Sequence, residues 1–271
     1  MRFLLLISFY PLRWIYRGLL FLDRIRKRTK QLPGITISVG NLSAGGTGKT
    51  PTIDYLSRGL KQKSQTPVAI LMRGYKSTKE KHGHILATQE IRNGQTPWQP
   101  TTSQGANSLT MLGDEALIYA TRRSVDFLGV GRDRFRNGQK IAELGCRIFL
   151  LDDGFQHWEI QRNLDIVLLN ASNPWEGGLL PLGRLREPPS ALARADIILL
   201  TRWHQSGEAG KKIKNYLHNR WPDKPILRAD HIMGRPLRLN DGAELSPLPA
   251  QADAACAIGQ PDSFFTGIES E

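Results

Sequence analysis

The run Gly40-Asn-Leu-Ser-Ala-Gly45-Gly46-Thr47-Gly48-Lys49-Thr50 sets a lysine and a threonine directly behind a cluster of glycines. Glycines let successive backbone N–H groups close on phosphate oxygens, and a helix starting at the loop adds its positive end. In such a loop Lys49 reaches the terminal phosphates and the Thr50 hydroxyl binds Mg²⁺. The chemistry needs a strand before the loop and a helix after it. Residues 34–39, Gly-Ile-Thr-Ile-Ser-Val, alternate as a short buried strand does, and a helical stretch runs from Pro51 to Leu60. The strict pattern asks for glycine where Ser43 stands; here glycine is doubled at Gly45-Gly46 instead. Ser43, Ala44, Gly45, Gly46, Thr47, Gly48, Lys49 and Thr50 are the expected cradle for a nucleoside triphosphate.

The divalent ion needs an acidic element. Cys146-Arg-Ile-Phe-Leu-Leu151 has a buried-strand pattern and ends in Asp152-Asp153-Gly154-Phe155-Gln156-His157. Carboxylates at the C-terminal end of a strand beside a phosphate loop are where such proteins order Mg²⁺. Asp-Asp-Gly is also a common turn. No Asn-Lys-x-Asp guanine reader is evident, which counts against a GTP-driven switch.

Net charge is +12, from 37 Lys and Arg against 25 Asp and Glu in 271 residues, so an anionic partner is expected. Residues 1–34 carry eight of the cations against Asp23 alone, interleaved with large apolar residues. No small-residue cleavage site marks a signal peptide. Burying Arg13 and Arg17 in a spanning helix would cost roughly 2.5–3.5 kcal/mol each. Two readings stand: a basic amphipathic helix on an anionic membrane surface, with Leu12, Ile15, Leu19 and Leu22 on one face, or a helix packed on the protein's own core. Nucleic acid is not an expected partner, because no nucleic-acid fold signature accompanies the charge. Two cysteines, Cys146 and Cys256, make no disulfide framework and read as a cytosolic chain.

The expected fold class is α/β: a P-loop-type parallel sheet domain, a second and smaller α/β domain, and an N-terminal amphipathic helix. Residues 1–33 form the membrane-interface segment, 34–190 the P-loop domain and 191–271 the smaller domain. Residues 76–108 are polar and read as an excursion from the sheet. Strand-like runs follow at 195–200, 224–228 and 254–258.

Together with the phosphate loop, the motifs Arg73-Gly74-Tyr75-Lys76, Gly113-Asp114-Glu115, Asp152 to His157 and Leu182-Gly-Arg-Leu-Arg-Glu-Pro188 occur in one order that resembles the tetraacyldisaccharide 4'-kinase family. The similarity extends from the basic N-terminus to Ile258-Gly259-Gln-Pro261-Asp-Ser-Phe264-Phe265. It implies an ATP- and Mg²⁺-dependent kinase that phosphorylates the 4'-hydroxyl of a tetraacylated glucosamine disaccharide 1-phosphate, a lipid A precursor. It further implies a peripheral protein at the cytoplasmic face of the bacterial inner membrane, expected as a monomer. By the same resemblance, Thr47, Lys49, Thr50, Asp152 and Asp153 hold phosphate and magnesium. Asp114 helps activate the sugar hydroxyl, with Glu115 near the metal. Arg73, Tyr75, Arg134, Arg186 and Glu187 lie on the substrate side, Arg186 also serving catalysis. Read without the resemblance, Arg134 and Arg186 could equally be surface cations and Glu187 a local partner.

The chain departs from the family at its end. Members continue to an Asp-His-His-like segment whose histidine partners the Gly-Asp-Glu aspartate, whereas this sequence stops at Glu271. None of its six histidines has that context, so the expectation is ATP–Mg²⁺ binding with slow turnover, or a catalytically impaired membrane-associated homologue.

Overall fold

The computed structural model describes residues 10–74, 83–88, 113–122, 124–232, 234 and 244. The described strands are β1 (Ile35–Asn41), β2 (Val68–Met72), β3 (His84–Ala87), β4 (Phe127–Val130), β5 (Ile148–Asp152), β6 (Leu164–Asn170), β7 (Ile197–Thr201) and β8 (Ile226–Ala229). The helices are α1 (Tyr10–Arg26), α2 (Lys49–Lys63), α3 (Asp114–Arg122), α4 (Arg134–Glu143) and α5 (Trp203–Arg220), with a 3₁₀ turn at Pro189–Arg194.

β5 shows why these runs become central strands. Its alternate residues feed two cores: Leu150 joins Val39, Ile53 and Tyr119 on the α2 side, whereas Phe149 and Leu151 join Leu32 and Ile141 on the α4 side. A strand covered on both faces has no polar side, so its sequence reads as continuously apolar. The eight strands form one sheet in the order β3-β4-β2-β5-β1-β6-β7-β8, parallel except at the β3–β4 edge. β1 lies between β5 and β6 with Val39 opposite Asp152, which brings the phosphate loop and the Asp-Asp turn to one end of the sheet.

Two expectations need correction. β7 pairs with β6 and β8 with β7, so the described part of 191–271 extends the P-loop sheet instead of beginning a separate one. Ile198, Leu200, Ile213 and Leu217 share a core with Val167 and Leu169, and this common burial draws β7 and α5 onto the sheet. Within the polar stretch 76–108, His84–Ala87 is a half-buried edge strand against β4. The run at 254–258 lies outside the described residues.

Gly40 shows how closely the layers meet: a Cβ there would lie 2.6 Å from the Phe155 Cβ and 2.8 Å from its backbone nitrogen. Gly40→Ala is expected to displace Phe155, costing about 1–3 kcal/mol by overpacking. Chemical denaturation measures the loss, and an unchanged midpoint would contradict this packing.

Candidate functional site

The phosphate loop leaves β1 at Asn41 and enters α2 at Lys49. Gly48 caps the helix at φ 84°, a left-handed conformation that favours glycine. The Asn41 side chain ties both ends together: its amide donates to Thr47 Oγ1 at 2.8 Å and to the Gly45 carbonyl at 3.3 Å, while its oxygen accepts from Lys49 Nζ at 3.2 Å. Across the loop, residues 42–44 pair with 184–186. The Ala44 N–H donates to the Arg184 carbonyl at 2.7 Å and the Arg186 N–H to the Leu42 carbonyl at 2.6 Å.

β5 delivers the acidic pair. Asp152 ends the strand, and Asp153 turns the chain with φ 52°. Asp153 stands between two cations, with Arg186 Nη1 2.5 Å from Oδ2 and Lys49 Nζ 3.5 Å from Oδ1. Arg134, buried at the start of α4, donates to the Asp153 carbonyl at 3.3 Å. Burial pushes the Asp153 carboxyl up, but Lys49, Arg186 and Arg134 outweigh it and hold the group below its ordinary value. Asp152 goes the other way: burial, then the charge of Glu115, pushes it up to about 6 against the pull of Lys49 and Arg134. Tyr119 on α3 donates to Asp152 Oδ2 at 3.2 Å and lies within hydrogen-bonding reach of the Thr50 side chain. Burial and the Asp152 charge raise its phenol pKa, so it stays a donor.

Helix α3 begins at Asp114 and is anchored to α2 by Arg122, whose Nη1 lies 2.9 Å from the buried Asp54 Oδ2. Glu115, in the first turn of the same helix, is near enough to act on Asp152 electrostatically. The Asp114 side chain and all of Tyr75 lie outside the described residues. Arg73 follows β2 and is exposed, close enough to Arg134 for their charges to interact. Glu187 has both oxygens engaged: Arg194 bridges them at 2.9 and 3.1 Å, and Gln156 Nε2 donates to Oε1 at 3.0 Å. The structure therefore gathers Lys49, Thr50, Asp152, Asp153, Arg134 and Arg186, and gives Glu187 partners within the protein.

Sequence reasoning missed Asn41, Tyr119 and Arg184. Asn41 at the strand end was the one visible signal, since a polar residue closing an apolar strand has to find a partner. Nothing in the sequence indicates that Tyr119 reaches Asp152. The available donors are oxygens, as a hard cation prefers, and buried Asp153 Oδ1 has the 3.5 Å ion pair with Lys49 but no hydrogen bond among the described residues.

A Gly-rich loop between a central parallel strand and a helix, with an Asp-Asp turn on the neighbouring strand, defines a P-loop nucleotide-binding protein. Within that class the chain belongs to the tetraacyldisaccharide-1-P 4'-kinase family, whose model matches residues 5–271. It is 37% identical over 264 residues to the tetraacyldisaccharide 4'-kinase of Syntrophobacter fumaroxidans, covering 94% of this chain and 65% of the relative. Identity to the Geobacter metallireducens enzyme of that name is 35%, over 90% of this chain and 67% of the relative. The chain thus spans about two thirds of the length of these curated relatives. The fold matches the crystal structure of LpxK from Aquifex aeolicus in complex with ATP, with TM-score 0.57 and 30% identity over 82% of this chain and 63% of that one.

His157 stays neutral beside this site. Burial lowers its pKa to about 3, helped by Arg134, Lys27 and Arg162. An unfolded histidine takes up a proton below about 6.5 that the folded one refuses, so stability falls as pH drops through that range. His157→Asn is expected to flatten the dependence of unfolding free energy on pH, by up to about 2 kcal/mol between pH 7 and 5. An unaltered pH profile would show that the folded histidine titrates normally.

Proposed function

We propose that this chain is a lipid kinase that binds ATP with Mg²⁺ and transfers the γ-phosphoryl group to the 4'-hydroxyl of a tetraacylated glucosamine disaccharide 1-phosphate. The observation that carries the reading is the placement of Lys49 and Arg186 on the two oxygens of Asp153 at the mouth of the phosphate loop. Phosphoryl transfer asks the protein for position and charge neutralisation more than for covalent chemistry. Lys49 would hold the terminal phosphates, Arg186 and Arg134 would face the charge that spreads during transfer, and Asp114 would receive the hydroxyl proton. Thr50, Asp152 and Asp153, with Glu115 nearby, would hold the magnesium, which supplies charge neutralisation when bound. The names and the bound ATP of the relatives support the assignment of substrate and nucleotide.

Membrane contact is part of the same reading. On α1, Ile15, Leu19, Leu22 and Ile25 recur at helical spacing and are 41–62% exposed. A flank of the helix docks through Tyr16, whose hydroxyl donates to the Arg186 carbonyl at 2.9 Å. An apolar stripe turned outward, with Arg26 beside it in the last turn, suits an anionic bilayer surface next to a site that takes an acylated substrate, while Arg24 stacks on Trp158 and holds the helix to the protein. Among the described residues no helix is long and apolar enough to cross a membrane.

Purified chain given ATP, Mg²⁺ and the disaccharide 1-phosphate is expected to yield the 4'-phosphorylated product, with Lys49→Ala reducing the rate by at least about a hundredfold. Nucleotide binding without product would refute the kinase reading. Ile15→Asp combined with Leu19→Asp is expected to abolish cosedimentation with vesicles containing anionic phospholipid; retained binding would remove α1 from that role.

A further inference from the structure

A loop of backbone amides can point inward at a phosphate only if its carbonyls point outward, and buried or crowded carbonyls need donors. Here three consecutive carbonyls, half-buried at Ala44 and Gly45 and exposed at Gly46, each have a side-chain donor, and the Gly45 carbonyl also accepts the Thr47 N–H at 3.1 Å. Arg184 Nε donates to Ala44 at 3.0 Å, Asn41 Nδ2 to Gly45 at 3.3 Å, and Arg202 Nη2 to Gly46 at 3.4 Å. Asn41 belongs to the loop's own strand, but the arginines come from distant segments. Arg184 lies so close that a Cβ on Gly45 would meet its Nη2 at 2.6 Å. Glu176 secures it. That carboxylate is almost fully buried, with Oε2 3.5 Å from Arg184 Nε and Oε1 accepting the Ser43 hydroxyl at 3.1 Å. Ser43 is the position at which the loop departs from the strict glycine pattern, and this is where its side chain goes.

We infer that Glu176, Arg184 and Ser43 form a brace, assisted by Arg202, that holds the phosphate loop's carbonyls outward and thereby presets its amides for a triphosphate. These are positioning residues: they act through the loop's backbone. The inference rests on the nucleotide-binding part of the proposed function, not on the phosphoryl acceptor. An unbraced loop would have to order itself when the ligand arrives, and the ordering cost would appear as lost affinity. The paired strands 42–44 and 184–186 keep the loop's entrance in place by main-chain bonds alone, so losing the guanidinium should leave the fold intact.

Two measurements on the full chain test the brace. Hydrogen exchange without nucleotide is expected to accelerate at the amides of residues 45–48 in Arg184→Ala, with the amides of Ala44, β1 and β5 unchanged. Titration with a fluorescent ATP analogue is expected to show about a tenfold weaker Kd for Arg184→Ala, as removal of one charged hydrogen bond predicts. Arg184→Lys should lie between, since a flexible ammonium keeps the charge opposite Glu176 but lacks the planar guanidinium that fixes the donor at Ala44, and Arg202→Ala should weaken binding independently. Exchange that rises throughout the sheet would mean a general structural role and overturn the inference, as would unchanged exchange at 45–48 or an unchanged Kd. If the wild-type chain binds no nucleotide, the proposed function fails, while the exchange comparison still decides whether the brace exists.

Discussion

The Asp153 carboxylate has one oxygen against Arg186 and the other facing Lys49, and much of the local structure serves that arrangement. A carboxylate between two cations keeps its charge despite burial, and each cation is in turn held ready at the phosphate loop. Arg134 adds a third positive group from beneath, through the Asp153 carbonyl. The result is a small volume in which positive charge is concentrated but neutralised closely enough for a folded protein to tolerate. A triphosphate with its divalent ion could enter by exchanging partners with groups already oriented, which lowers the reorganisation required during reaction.

The two aspartates are adjacent in sequence and opposite in character. Asp153 is surrounded by cations and stays below the usual carboxylate range, whereas Asp152 is buried near Glu115 and is pushed up to about 6. Tyr119 keeps one Asp152 oxygen in a hydrogen bond and lies close to Thr50, so α3 and α2 meet over the end of β5. The Asp54–Arg122 pair beneath them is structural, yet it sets the distance between the helix that begins with Gly-Asp-Glu's acids and the helix that carries Lys49. Tyr16 extends the same economy outward, joining the amphipathic helix to the backbone of Arg186. One hydrogen bond thus ties the helix with the exposed apolar stripe to the segment that carries Arg186.

Much of this was legible in one dimension. Residues 40–50 announce a phosphate loop because glycine, lysine and threonine at that spacing follow a β-branched strand, and the observed β1 and α2 lie where that reading put them. β5 and its Asp-Asp turn were equally readable, since an apolar strand ending in acids is a local pattern. The second domain expected from residue 191 was not, because the strand runs at 197–201 and 226–229 carry no signal of which sheet they join. Pairing depends on which strand has a free backbone edge and which core its side chains share, and β7 takes the edge of β6 while its apolar residues join those of β6. Glu187 was legible as part of a motif but not as the partner of Arg194, a contact made across the 3₁₀ turn that follows it.

By itself the sequence determined the chemistry available: a lysine and a threonine behind glycines, a pair of carboxylates, and an excess of arginine. Those are local facts, set by residue type and by spacing of a few positions. Only the tertiary structure decided which arginine serves which group. Arg186 is 33 residues from Asp153, Arg184 is 140 from Ala44 and Arg202 is 156 from Gly46, and although a motif marks Arg184 and Arg186, nothing local names the group each one serves. Their roles arise because a parallel sheet brings the C-terminal ends of β1, β5 and β7 to one end, where long flexible side chains from separate loops meet a few loop carbonyls and the carboxylates of Asp153 and Glu176.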